Sequence, residues 1–273
     1  MDTITFRRFC SIAYEKAGIT LNDSKETLVE ARVGKRMRAL GLATEKDYLT
    51  YLLDSQNQDE IVNFLDVIST NHTSFYREPD HFDLLRTTLV DWRIQGCRRL
   101  RLWSAASSTG EEPYTIAFTA TEALDGSGID WLLLATDIST KVLARAEAGA
   151  YAASKVALLS RAQQKCYFES TESKDELKVR EDIRNKVVFR RLNLATPPYP
   201  MRGPFDVIFC RNVMIYFDQV VRQRIISAME RLLAPNGLLF IGHAEALSGV
   251  RTSLKMLKPS VFMLSEERAR AGL

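Results

Sequence analysis

Long hydrophobic runs, histidine clusters, closely spaced cysteines and a strong charge of one sign are all missing from this chain of 273 residues, and each absence excludes something. No stretch approaches the roughly 20 apolar residues of a membrane-spanning helix. The N-terminal MDTITFRRFC sets Arg7 and Arg8 where a signal peptide needs an apolar core, so the expectation is a soluble cytoplasmic protein. The 4 cysteines, Cys10, Cys97, Cys166 and Cys210, contain no CxxC pair and read as reduced thiols. With only 3 histidines, His72, His81 and His243, and no Cys/His ligand spacing, no metal is assigned. A net charge of +3 is too small to indicate nucleic-acid binding. The glycine fingerprint GxGxxG of dinucleotide-binding loops is also lacking, which disfavours a nicotinamide-dependent dehydrogenase.

What is present divides in two. Residues 1–70 are helical in pattern: Thr5–Ala17, Ser24–Leu40, Thr44–Leu53 and Asp59–Ile68 repeat apolar positions every three or four residues, with Gly18 and Gly41 as stops. Thr44 and Asp47 form the outline of a capping box. A linker at 71–79 follows, and from residue 80 to 273 a helix (Asp80 to about Gln95) leads into alternating strand and helix patterns: Leu100–Ser104, Pro113–Ala123, Trp131–Thr136, Thr140–Ala148, Val187–Leu192, Phe205–Cys210, Gln219–Leu233 and Leu238–Gly242. Such alternation predicts an α/β fold with a doubly wound, largely parallel sheet. Leu254–Lys258 and Val261–Ser265, joined by Pro259 and Ser260, predict an antiparallel pair at its edge. The stretch of about 151–191 breaks the alternation and reads as a small inserted subdomain.

In doubly wound sheets ligands bind beyond the carboxyl ends of the strands. The small-residue run Trp103 to Pro113 follows the first strand and opens a helix with Glu111 and Glu112, which repel a pyrophosphate and suit a cationic ligand. Asp137 ends the second strand, where a carboxylate accepts ribose hydroxyls; a loop aspartate or helix cap is the plainer alternative. Cys210 to Asp218 carries Arg211, Asn212 and Tyr216 past a further strand end, with Met214, Ile215 and Phe217 as pocket wall or core. The linker Asn71–Arg77 is dense in side-chain donors, either covering a pocket or simply joining the domains.

Taken together, NHTSFYRE, WSAASSTGEEPYTIA, ATDIS, FDVIFCRNVMIYFD and LLAPNGLLFIGHAEAL, in that order, closely resemble the chemotaxis protein methyltransferases of the CheR family. The resemblance spans nearly the whole chain and is weakest over residues 1–65 and the insert. It implies a Rossmann-like methyltransferase domain that binds S-adenosylmethionine, an all-α N-terminal domain, and a β subdomain as the insert. It also implies that Asn71, Thr73 and Arg77 close over the cofactor, that Glu112 and Asp137 hold its amino-acid and ribose portions, and that Asn193, Leu194, Asn212 and Val213 frame its adenine side. Glu112 matches the family position better than Glu111. Tyr76 and Ala106-Ser107-Ser108 depart from the usual motifs without removing one of these contacts.

The implied reaction is methyl transfer to glutamate carboxylates of bacterial chemoreceptors, giving glutamate methyl esters and S-adenosylhomocysteine. A carboxylate is already ionised near neutral pH, so the absence of a His/Asp or Cys/His constellation agrees with it. Arg77 and Tyr216 are the candidates for orienting the acceptor. The family's substrate, the helical cytoplasmic domain of methyl-accepting receptors, calls for a basic docking face. Arg32, Lys35 and Arg36 are spaced to share one, with Arg38 nearby, although an ordinary solvated helix face has the same pattern. In some family members the β subdomain captures a tether peptide at the receptor's C-terminus. The rival readings are a methyltransferase for a different acceptor and a non-catalytic receptor-binding module that retains cofactor affinity.

Overall fold

A computed structural model describes residues 1–69 and 72–265. The chain opens with four helices. Helix α1 (Thr3–Ala17) starts where the Asp2 carboxylate accepts the Thr5 N–H at 2.8 Å, and stops at Gly18, whose φ of 68° is left-handed. Helix α2 (Glu26–Leu40) begins later than the pattern predicts. Ser24 Oγ donates to Asn22 Oδ1 at 2.7 Å, and Asp23–Lys25 form a separate 3-10 turn. The expected capping box opens α3 (Glu45–Leu53): Thr44 Oγ1 accepts the Asp47 N–H, and Asp47 accepts the Thr44 N–H. With α4 (Gln58–Ile68) these helices enclose Phe6, Phe9, Val29, Val33, Tyr48, Leu52 and Phe64, the Phe9 ring lying 5.6 Å from Phe64 and 5.9 Å from Tyr48.

Helix α5 (Pro79–Ile94) leads into β1 (Arg99–Ser104), α6 (Glu111–Ala123), β2 (Asp130–Asp137) and α7 (Thr140–Ala148). The insert then contributes β3 (Ala150–Ala152), α8 (Ala153–Val156), α9 (Arg161–Tyr167), β4 (Phe168–Ser170), β5 (Glu176–Val179) and α10 (Glu181–Arg184). Its three strands form a separate antiparallel sheet in the order β3-β5-β4. The main sheet resumes with β6 (Val187–Arg191), β7 (Phe205–Cys210), α11 (Gln219–Leu232), β8 (Leu233–Ile241), β9 (Leu254–Lys258) and β10 (Val261–Leu264).

Its seven strands run β6-β2-β1-β7-β8-β10-β9, parallel up to β8 and antiparallel thereafter, as the alternation and the closing pair of strands predict. Two local differences have clear causes. Val187–Arg191, the end of the stretch set aside as insert, pairs in register with Leu133–Asp137 and is the edge of the larger sheet. Strand β8 starts at Leu233 rather than Leu238, because a register shift opposite Phe205–Val207 absorbs Pro235, Asn236 and Gly237, residues that locally read as a turn.

The chain moves from β1 outward to β2 and β6, then returns to place β7 on the other side of β1. That reversal opens a crevice at the carboxyl ends of β1 and β7. Apolar side chains fill both faces of the sheet, among them Phe82, Leu85 and Phe118 on one and Trp103, Ile225 and Met229 on the other.

Candidate active site

The crevice is a cleft of about 930 Å³, open solvent at its mouth included. After β1 the backbone turns tightly: Ser107 donates to the Thr136 carbonyl at 2.9 Å and Gly110 to the Ser107 carbonyl at 3.0 Å. Gly110, at φ 98°, cannot be replaced without strain, since a Cβ there would lie 2.5 Å from Tyr151 Oη and 2.8 Å from Ala146 Cβ. One glycine therefore suffices where dinucleotide loops need three, and Ala105, Ala106 and Ser108 line the cleft.

The two glutamates that follow have different surroundings. Glu111 is fully buried, bonded to Lys155 Nζ at 2.5 Å and to Thr109 Oγ1 at 2.6 Å. Glu112 lines the cleft, accepts Ser104 Oγ at 2.8 Å and stands 3.6 Å from Arg211 Nη1. Burial pushes the Glu112 carboxyl up, against the opposing pull of Arg211 and Ser104. Asp137 also lines the cleft, with its oxygens accepting the N–H groups of Ser108 at 2.9 Å and Ser139 at 3.0 Å. Burial outweighs those bonds and raises its carboxyl too. The cap of α7 is Ser139, which accepts the Val142 N–H, so Asp137 is not needed for it. Two carboxylates held in a half-dry cleft make it receptive to a cation and to hydroxyl donors.

Beyond β7, Arg211 is the structural centre. Its side chain is only 1% exposed; Nη2 donates to the Arg77 carbonyl at 2.5 Å and pairs with Glu78 at 3.0 Å, and its plane lies over the rings of Phe82 and Phe209. Its Nε and Nη1 have no hydrogen-bond partner among the described residues. Asn212 adopts a left-handed φ of 57°, held by Glu245, which accepts the N–H groups of Asn212, Met214 and Gly242 at 2.6–2.8 Å. Asn212 Nδ2 donates to Glu78 at 3.2 Å. Val213, Tyr216 and Phe217 continue the cleft wall.

The remaining walls come from elsewhere in the chain. Leu192, Asn193 and Leu194 follow β6; Asn193 accepts the Ala195 N–H and donates to the Lys16 carbonyl of α1 at 2.9 Å. The linker supplies His72, Thr73, Ser74 and Arg77, with Arg77 Nη1 donating to the His72 carbonyl at 2.9 Å. Phe75 anchors this linker in the core, 5.0 Å from Tyr151 and 5.7 Å from Phe168. The helical domain contributes Ala17 and Ile19.

Thr73, Arg77, Glu112, Asp137, Asn193, Leu194, Asn212, Val213 and Tyr216 thus share one cleft. Asn71 lies outside the described residues. The basic set on α2 is divided instead. Arg32 Nη1 donates to the carbonyls of Val67, Ile68 and Ser69 at the end of α4, and Arg36 forms a bidentate pair with buried Glu60 at 2.8 and 2.6 Å; Lys35 and Arg38 are exposed. Of Arg32, Lys35 and Arg36, expected to share one face with Arg38 nearby, Arg32 and Arg36 turn to α4, which offers carbonyls and a carboxylate that a lone helix lacks. Arg211, expected at a strand end, is at the centre of the site, whereas sequence reasoning gave no role to Glu78 and Glu245, which hold Arg211 and Asn212. Both glutamates lie inside motifs that carry the family resemblance, but the partners of Glu245 at Asn212 and Met214 are 33 and 31 residues away, beyond the reach of local pattern.

Comparison with known proteins adds to this geometry. Residues 4–69 match the family model of the CheR methyltransferase all-alpha domain, and residues 71–263 that of the CheR methyltransferase SAM binding domain. A chemotaxis protein methyltransferase of Salmonella typhimurium is 41% identical over 266 residues, covering 97% of this chain and 91% of that one. One from Escherichia coli is 40% identical, covering 96% and 91%, and one from Borreliella burgdorferi is 33% identical, covering 93% and 92%.

Proposed function

The chain belongs to the CheR methyltransferase family and is an S-adenosylmethionine-dependent methyltransferase, and from that premise we propose that it esterifies glutamate side chains on the cytoplasmic helical domain of methyl-accepting chemoreceptors. The observation that carries this reading is the convergence of Glu112, Asp137, Arg77 and Tyr216 on one cleft.

The residues fit the cofactor's chemistry. Glu112 receives the ammonium of its amino-acid portion, and the unpartnered N–H groups of Arg211 border the same end and suit the carboxylate. Asp137 accepts the ribose hydroxyls, while Asn193, Leu194, Asn212 and Val213 flank the adenine. Thr73 and Arg77 cover the cleft from the linker. Bound S-adenosylmethionine supplies an electrophilic methyl group on a sulfonium and leaves as S-adenosylhomocysteine. Arg77 and Tyr216 hold the acceptor carboxylate in line and keep one lone pair free. No general base is required, since a glutamate is ionised near neutral pH. The closed, partly apolar cleft favours a step in which opposite charges are neutralised.

Receptor docking falls to Lys35 and Arg38 on the exposed side of α2, with Arg32 and Arg36 shaping the helix from behind. The edge strands β3 and β4 of the insert suit a receptor C-terminal tether peptide added as a further strand. Work at cytoplasmic receptor arrays needs no membrane span, and no described helix is long and apolar enough to form one.

The test is transfer of labelled methyl from S-adenosylmethionine to receptor cytoplasmic fragments, read as label released by base. Base-labile label that disappears when the accepting glutamates are replaced by aspartate supports the proposal. An enzyme that binds S-adenosylhomocysteine yet leaves no base-labile label on any methyl-accepting receptor fragment overturns it.

A further inference from the structure

Outside the cofactor cleft, Glu78, His81 and His243 each bring one ligand-type atom within 4.8 Å of the others. We propose that these three residues, with Asp80, form a binding site for a borderline divalent metal ion of the zinc class.

His81 is the first argument. Its imidazole is 1% exposed at the start of α5, and neither Nδ1 nor Nε2 has a hydrogen-bond partner among the described residues. A buried ring with both nitrogens unsatisfied is rare, because each lost bond costs about 1–3 kcal/mol. The ring faces the other members: its Nδ1 is 3.5 Å from Glu78 Oε2, and its centroid is 4.6 Å from that of His243, edge to face.

The donor set is the second argument. His243 Nε2 lies 3.1 Å from Asp80 Oδ2 and 4.0 Å from Glu78 Oε2. Two imidazoles and two carboxylates suit zinc and its neighbours; magnesium and calcium prefer oxygen alone. Zinc bonds of about 2.0–2.1 Å need ligand atoms roughly 3.3 Å apart, so ligand atoms now up to 4.8 Å apart have to close by about 1.5 Å. The side chains of His243 and Asp80, 44% and 61% exposed, have open space in which to make that adjustment.

Arg211 opposes a cation here, 3.0 Å from Glu78 Oε2. That guanidinium is balanced by Glu112 on its other side at 3.6 Å, and Asp80 brings a further negative charge to the metal side. The occupied site pins Glu78, the residue after Arg77, to the loop after β8, and so restrains the linker that covers the cleft.

Tag-free full-length protein, stripped with a chelator, is titrated with Zn²⁺ by calorimetry and with Co²⁺ by absorption spectroscopy. The expected result is one ion per chain, a cobalt spectrum without a thiolate charge-transfer band, at least tenfold weaker binding in His243→Ala, and unchanged binding in the control His72→Ala. Because His243 is a half-exposed surface residue, its removal leaves the fold intact, which circular dichroism checks. No binding by the wild type, thiolate ligation by Cys97 or Cys166, or undiminished affinity in His243→Ala overturns the site.

Discussion

A carboxylate in a partly dry cleft is costly until a cation or a set of donors meets it, and Glu112 and Asp137 both stand in that position. Replacing Glu112 with Gln keeps the shape and the Ser104 contact but removes the charge. Calorimetry is expected to show S-adenosylhomocysteine binding weakened about tenfold to a hundredfold, the worth of a hydrogen bond to a charged group. Because both carboxyls titrate above the usual range, cofactor affinity falls as pH drops from neutral earlier than an ordinary carboxylate near 4 dictates. His81 gives a separate pH signature. The unfolded chain takes up its proton near 6.5 and the folded chain only at about 4. The stability from this group is therefore complete above about pH 7 and is lost as pH falls from 6.5 towards 4, with a total on the order of 3 kcal/mol. Urea unfolding across that range reads it. His81→Phe, which fills the same space without a titrating nitrogen, is expected to flatten the slope, and an unchanged slope contradicts the assignment.

At the scale of the element, α2 carries two kinds of basic residue in one helical pattern. Arg36 holds Glu60, which also accepts Tyr48 Oη at 2.8 Å and Asn63 Nδ2 at 2.9 Å, and these bonds outweigh burial to keep the Glu60 carboxyl below its usual range. Arg36→Ala leaves that charge without its cation in the helical core, so thermal or urea unfolding is expected to show a loss on the order of 3 kcal/mol. Lys35→Glu with Arg38→Glu touches no such network. Stability is expected to hold within about 0.5 kcal/mol. The KM for receptor fragments rises, kcat is unchanged, and the effect shrinks with added salt, as a rim charge behaves. If the double variant methylates receptor as the wild type does at low salt, α2 is not the docking element.

Across the whole molecule, the helical domain is part of the cleft rather than an appendage to it. Ile19 bridges Phe217, the Thr20 N–H donates to the Tyr216 carbonyl at 2.8 Å, Tyr14 Oη donates to Asp218 at 3.0 Å, and Asn193 holds the Lys16 carbonyl. These bonds set the turn that carries Tyr216 against the end of α1. Gly18 permits the approach: its φ is +68°, and a Cβ there would come within 2.6 Å of Ala195 Cβ. Gly18→Val is expected to part the two domains, lowering both S-adenosylhomocysteine affinity and kcat at least tenfold, while circular dichroism shows the helix and strand content retained. Wild-type turnover by that variant means the contact is dispensable.

The order of helices and strands was legible because it rests on apolar spacing within three or four residues. The same holds for the Thr44–Asp47 cap and the closing β9–β10 pair, whose signals are local. Positions at strand ends were legible too, since the doubly wound arrangement sends them to one crevice, and the Glu111–Glu112 pair, Asp137, Arg211, Asn212 and Tyr216 were singled out that way. Only the tertiary structure decided what depends on distant partners: that Glu112 and not Glu111 faces the cleft, that Arg32 and Arg36 turn to α4, that Glu245 shapes the Asn212 turn, and that β8 starts at Leu233. It also decided that Glu78 and His81 meet His243. The physical reason is common to these cases. Periodicity reports which side of an element is buried, whereas an ion pair, a bulge or a ligand cluster is chosen by whatever atoms another part of the chain brings within about 3–4 Å.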